Sequence, residues 1–330
     1  MDKLEDSYNR RIEYLRISVT DRCNLRCVYC MPAEGVQPLP HPEILTFEEI
    51  LLVVRQSVSL GIKHVRVTGG EPLVRKGVAG FIERLVRLEG IEDVTMTTNG
   101  ILLGRYAAQL KAAGLARVNI SLDTLDAAKF RRITRCGEIA AVREGIAAAL
   151  ATGLSPVKIN CVVMRGVNDG EVGKFARLTR DRPLHVRFIE YMSIGSDPAE
   201  WNERFIAAGE LRRQVETTVG PLRPAAVLGS GPAKYWRLGG AQGTIGFISP
   251  VSEHFCAECN RLRLTADGKV RPCLLSDAEF DLKQRLRSGA PEPDITDILR
   301  AAVAQKRAHH CLADTEAAAV LRRRMAQIGG

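Results

Sequence analysis

Between residues 13 and 190 the chain alternates six short β-branched runs with amphipathic stretches, and this alternation narrows the fold more than any other feature. The runs occupy residues 13–20, 64–68, 94–98, 117–122, 157–164 and 185–190. Between them, apolar residues recur at helical spacing over residues 47–59, 78–88, 105–113, 127–133, 139–151 and 171–179. Thr46 is the expected N-cap of the first helix and Gly114 the stop of the third. Strands and helices in such a series build a parallel sheet with right-handed crossovers. Six units fall short of the eight that close a standard barrel. The α/β fold expected is an open, partial (β/α)6 TIM-like barrel, with a flat doubly wound sheet as the alternative.

After about Gly220 the pattern changes. Pro- and Gly-rich stretches separate short strands at 235–238 and 244–248, a cysteine cluster follows, and helices are expected near 277–287 and 295–306. The expected division is residues 1–220, the partial barrel, and residues 221–330, a smaller α+β module carrying that cluster.

The cysteines speak to chemistry. There are nine, with no export signal visible in the first six residues, so clustered thiols read as metal ligands or catalytic groups rather than disulfides. Cys23, Cys27 and Cys30 follow the first strand at a spacing that lets one short loop wrap three thiolates around a single centre. Iron–sulfur clusters are normally held by four cysteines, so three leave one iron open to another ligand. A zinc site with a distant fourth ligand is the alternative. Cys256, Cys259 and Cys273 form a second triple, for which a zinc ribbon completed by His309, His310 or Cys311 is the competing reading. Cys136, Cys161 and Cys311 are expected to be small buried residues.

Four basic side chains, Arg16, Arg66, Lys158 and Arg187, fall on expected strands. An unpaired buried charge is costly, so these must meet a ligand or partners. Several guanidinium groups around one cavity suit phosphate oxygens, and a triphosphate best of all. The net charge of +9 agrees, although a solvated basic surface is the plain alternative. The arginines are scattered rather than blocked, which argues against a nucleic-acid stripe. No stretch of about 18 apolar residues occurs, so no membrane span is expected. A cytoplasmic location follows by default.

These motifs carry a resemblance. The first triple, with Tyr29 inside it, resembles the signature loop of the radical S-adenosylmethionine superfamily, and Gly69-Gly70-Glu71-Pro72 resembles that superfamily's segment for the amino group of S-adenosylmethionine. The segment FCAECNRLRLTADGKVRPC, residues 255–273, is similar to the C-terminal motif of the GTP 3′,8-cyclase family of molybdenum cofactor biosynthesis. Agreement extends to YLRISVTDRCNLRCVYCMP, VRVTGGEPLVR, TMTTNG, NISLDTL, KINCVVMRGVND, RFIEYM and the final Gly-Gly, nearly the whole chain.

The resemblance implies two 4Fe–4S clusters facing each other across the barrel, on Cys23, Cys27 and Cys30 and on Cys256, Cys259 and Cys273. It implies cleavage of S-adenosylmethionine at the first and conversion of GTP to (8S)-3′,8-cyclo-7,8-dihydroguanosine 5′-triphosphate. Tyr29, Gly70, Ser121 and Met192 match contacts to S-adenosylmethionine. Arg16, Arg66, Thr97, Lys158, Arg187, Arg261, Leu262 and Arg263 match the GTP region. Arg261 and Arg263 and the tail residues Gly329 and Gly330 match positions that act in catalysis. A protein reductant, a downstream cyclic pyranopterin monophosphate synthase and a homodimer are implied as partners.

Overall fold

The computed structural model describes residues 3–194, 198–227, 229, 231–288, 292–310 and 323–329; Cys311 and Gly330 lie outside the described residues. The six expected strands form: β1 (Tyr14–Ser18), β2 (His64–Thr68), β3 (Asp93–Thr98), β4 (Arg117–Ser121), β5 (Val157–Val163) and β6 (Leu184–Glu190). They lie side by side in chain order, all parallel. The connecting helices start within two residues of where they were expected. Helix Phe47–Ser59 opens with a capping box: Glu49 N–H donates to Thr46 Oγ1 at 3.1 Å, and Thr46 N–H to Glu49 Oε2 at 2.7 Å.

Six further strands follow: β7 (Leu222–Pro224), β8 (Lys234–Leu238), β9 (Thr244–Ile248), β10 (Arg261–Leu264), β11 (Lys269–Arg271) and β12 (Phe280–Asp281). They extend the same sheet at both ends. β9 pairs in parallel with β6, and β10 in parallel with β1, giving eight consecutive parallel strands in a mixed sheet of 12. Antiparallel β8 and β7 finish one edge, β11 and β12 the other.

Alternation along the strands separates two chemistries. Leu15, Ile17, Val65, Val67, Met96, Val118, Ile120, Ile159, Val186 and Phe188 are buried in one core with helix residues such as Val54, Ile82, Leu110 and Val142. The intervening residues Arg16, Arg66, Thr97, Asn160 and Arg187 line a cavity instead. Side chains alternate between the two faces of a strand, so one face is apolar and the other carries charge. In register, Arg263 of β10, Arg16 of β1 and Arg66 of β2 form one row across three adjacent strands. Neighbouring strands lie about 4.8 Å apart, which holds these cations close.

Some expectations need correction. Residues 277–287 are not one helix: β12 and Leu282 precede a short helix, Lys283–Arg287, because Phe280 pairs with Val270 of β11. The last long helix is Glu292–Ala304, which leaves Lys306 beyond its end. Helix Ala208–Val219 lay outside the expected elements. Cys161 is buried, but Cys136 is exposed: it follows Arg135, whose φ of 59° turns the chain outward after helix Ala127–Thr134. Among the described residues no helix is long and apolar enough to cross a membrane.

Candidate active site

A cavity of about 310 Å³ opens at the C-terminal side of the parallel strands, and both cysteine triples line it. The first triple sits on the loop leaving β1. That loop is anchored away from the cavity: Arg26 N–H donates to Thr134 O at 3.0 Å and Val28 N–H to Ile133 O at 2.9 Å. Cys23 Sγ receives the Leu25 N–H at 3.4 Å and the Asn99 amide at 3.8 Å. Burial raises the thiols of Cys23, Cys27 and Cys30, the last to about 12. Buried thiols with so few donors are poor places for isolated anions, and a bound cation inverts that preference.

The turn after β2 explains its glycines. Gly70 N–H donates to Thr20 O at 2.7 Å and Glu71 N–H to Arg22 O at 2.8 Å. A Cβ on Gly70 would lie 2.4 Å from Arg22 O. The close approach seen is therefore to the backbone of the cysteine loop, while Gly70 also faces the cavity. Gly70→Ala is expected to push that loop away, lowering stability by about 1–3 kcal/mol and reducing iron uptake by the first triple. Calorimetry and iron assay read both effects, and a variant with wild-type melting and iron content would refute the packing role.

Glu71 fixes the next turn. Its carboxylate accepts from Leu73 N–H at 3.0 Å, Thr98 Oγ1–H at 2.7 Å and Asn99 N–H at 2.6 Å. Burial pushes its pKa up to about 7 against those hydrogen bonds. Through Asn99 it positions the amide that reaches Cys23 Sγ. Asp123, just past β4, works similarly: Tyr29 Oη–H donates to it at 2.7 Å and Val162 N–H at 2.9 Å. The Tyr29 ring is thereby held against the cavity wall. Sequence reasoning placed Glu71 only within a segment matched to S-adenosylmethionine and assigned no role to Asn99 or Asp123, although each stands near the end of a legible strand.

The second triple lies on the segments around β10 and β11. Cys259 N–H donates to Cys256 O at 3.1 Å, closing a tight turn, and Leu275 N–H donates to Cys273 Sγ at 3.4 Å. Burial raises the Cys259 thiol, but Lys306 and Arg261 nearby outweigh it and hold the group below its ordinary value. Arg10, from the N-terminal segment, donates to Cys256 O at 2.6 Å and to Asp6 at 2.6 Å.

The cations come next. Arg16, Arg66, Arg187, Arg261 and Arg263 all line the cavity, as do Thr97, Ser121 and Met192. Burial, then Arg263 and Arg66, depress Arg16 far below its usual value. Arg187 donates through Nη2 to Asn119 Oδ1, and the Asn119 amide donates to Met96 O at 3.2 Å. Lys158 is buried deeper on β5, outside the lining set; burial and then Arg187 and Arg117 bring it down to about 7. Leu262 is fully buried beside Leu15 and packs the strands rather than facing the cavity.

The tail residues Met325 to Gly329 reach the site. Met325 and Ala326 line the cavity, and Gly329 O accepts from Arg263 Nη1 at 3.0 Å. Gly329 has φ 69°, and a Cβ there would meet Thr68 Cγ2 at 2.9 Å.

The donor sets fit iron–sulfur centres. Each triple offers thiols alone, the ligand type such clusters take. Among the described residues, no three Cys, His, Asp or Glu side chains converge on one ion-sized point. Thr97 Oγ1, Asn160 Oδ1 and Arg187 Nε are buried without hydrogen-bond partners among the described residues, and all three residues line the cavity. Buried polar atoms need partners, and a polar ligand supplies them.

Known proteins agree. The Radical SAM superfamily model matches residues 17–179, and the Molybdenum Cofactor Synthesis C model matches residues 184–312. The chain is 55% identical over 297 residues to a GTP 3′,8-cyclase of Thermodesulfovibrio yellowstonii, covering 90% of this chain and 92% of that one. It is 53% identical to that of Pelotomaculum thermopropionicum, covering 99% and 100%. Streptococcus suis SuiB bound to its precursor peptide SuiA shares the fold at TM-score 0.60 and 14% identity, over 96% of this chain and 76% of that one. SuiB bound to S-adenosylmethionine gives 0.57 and 15%, over 89% and 69%. With half its residues shared along nearly its full length, the chain belongs to the GTP 3′,8-cyclase family of radical S-adenosylmethionine enzymes.

Proposed function

We propose that the chain converts GTP to (8S)-3′,8-cyclo-7,8-dihydroguanosine 5′-triphosphate in molybdenum cofactor biosynthesis, using S-adenosylmethionine and two 4Fe–4S clusters. The observation that carries this reading is that two cysteine triples and a row of guanidinium groups line one cavity. Cys23, Cys27 and Cys30 would hold a cluster that, when bound, would supply the electron for reductive cleavage of S-adenosylmethionine, which starts hydrogen abstraction from the GTP ribose.

The chain's own residues hold and shield. Tyr29, pinned by Asp123, and Gly70, Ser121 and Met192 form the wall for S-adenosylmethionine. Arg16, Arg66, Arg187 and Arg263 present forks to the triphosphate, with Thr97 as a further donor. Lys158 sits below them as a reserve of charge, and Arg261 with Cys256, Cys259 and Cys273 marks the nucleobase end. Met325 and Ala326 add to the cavity wall, with Gly329 held by Arg263, and exclusion of water protects a radical from stray hydrogen donors. Leu262 supports Arg261 and Arg263 by fixing β10 against β1.

The same reading includes a partial (β/α)6 barrel over 1–220 and a cluster-bearing module over 221–330. It is supported by one cavity receiving residues from β10 and Ile248 of β9, the two outermost of the eight parallel strands. A cytoplasmic homodimer, a protein reductant and a downstream cyclic pyranopterin monophosphate synthase belong to it as well.

Anaerobic incubation with S-adenosylmethionine, GTP and dithionite is expected to yield 5′-deoxyadenosine and the cyclised nucleotide together by mass spectrometry. Cleavage of S-adenosylmethionine without any cyclised nucleotide would sink the reading. A pH effect follows from Lys158, whose pKa is about 7. Bound triphosphate favours its charged form, so affinity is full below pH 7 and falls as pH rises above it. The loss approaches about tenfold per pH unit until the pKa of the complex is reached. Titration calorimetry should show this slope in the wild type and a flat profile in Lys158→Met; equal slopes in both would exclude Lys158 as its source.

A further inference from the structure

Lys306 is buried at 5% exposure, two residues beyond helix Glu292–Ala304, and its three ammonium protons are all accounted for. Two go to backbone carbonyls, Arg261 O at 2.9 Å and Pro272 O at 2.8 Å. The third points at Cys259 Sγ, 3.8 Å away. None of these partners is a carboxylate. A buried cation without a counter-charge is costly, and a thiolate-ligated centre at Cys259 supplies that counter-charge. The two carbonyls belong to different segments: Arg261 lies two residues after Cys259, and Pro272 directly precedes Cys273. One side chain therefore ties together the backbones that present two of the three cysteines. It is itself braced, with Lys306 N–H donating to Val303 O at 3.0 Å.

We propose that Lys306 is a positioning residue for the second iron–sulfur cluster, setting the Cys259 and Cys273 segments and, through its charge beside the Cys259 sulfur, making that cluster easier to reduce. The inference rests on the reading that Cys256, Cys259 and Cys273 hold a cluster. Hydrogen bonds to ligating sulfurs and nearby positive charge stabilise the more negative, reduced state. The carbonyl contacts alone would make Lys306 a structural tie; only the contact with sulfur predicts a change in redox behaviour.

The test uses the full chain, reconstituted anaerobically, with iron content and spectroscopic redox titration as readouts. The wild type should hold about eight irons; about four would overturn the two-cluster reading and leave this inference without its object. Lys306→Met, similar in length and uncharged, should bind the same iron and shift the second cluster to a lower midpoint potential, with the first cluster unmoved. Loss of the second cluster in Lys306→Met with retention in Lys306→Arg also supports the role of charge. Full iron with a wild-type potential in Lys306→Met overturns it, as does equal loss of the cluster in both variants.

Discussion

Replacing Cys256 by serine should leave S-adenosylmethionine cleavage running and abolish cyclisation of GTP. Serine offers a hard alcohol where a soft thiolate is wanted, so iron should fall from about eight to about four per chain. The first triple should not feel the change. Its loop is held by backbone hydrogen bonds to Thr134, Ile133, Gly70 and Glu71, and among the described residues none of these bonds involves the Cys256 turn. Chromatography should therefore find 5′-deoxyadenosine and no cyclised nucleotide. Wild-type yield of that nucleotide from the variant would remove the second triple from the reaction.

The second large effect is expected for Arg187→Met. Methionine fills much of the volume but cannot donate to Asn119 or to phosphate. A hydrogen bond to a charged group is worth about 1.5–3 kcal/mol, so GTP affinity should fall by a factor of about 10–150. S-adenosylmethionine binding should be unchanged, because Tyr29, Gly70 and Ser121 stand on other strands and loops and Met192 lies beyond the end of β6. Nucleotide affinity equal to the wild type would place Arg187 outside the phosphate site.

The parallel strands were legible because runs such as His64–Thr68 and Val157–Val163 are dense in β-branched residues bounded by helical periods. β10 was not. Its sequence Arg-Leu-Arg-Leu stood out as a motif, and nothing local indicates that it pairs with β1, roughly 245 residues earlier in the chain. Parallel pairing across such a distance is a tertiary outcome. The two triples were readable from spacing, but the groups that hold them were not equally so. Asp123 follows a strand end and was open to inference. Lys306 lies far from Cys259 in sequence, past a helix, and no spacing rule connects them. Gly70 was matched to a contact with S-adenosylmethionine, and the close approach the structure shows is to the Arg22 backbone, which only folding brings there.

The row formed by Arg263, Arg16 and Arg66 has a consequence for the life of the protein. Three like charges at neighbouring strand spacing repel one another, and Arg263 and Arg66 add to the burial that depresses Arg16. A multivalent anion relieves it, so whatever occupies the row also acts as a folding ligand. On the proposed reading, in which GTP fills the row, resistance to heat and proteolysis rises and falls with nucleotide supply, and the polypeptide's durability becomes a readout of how well fed it is.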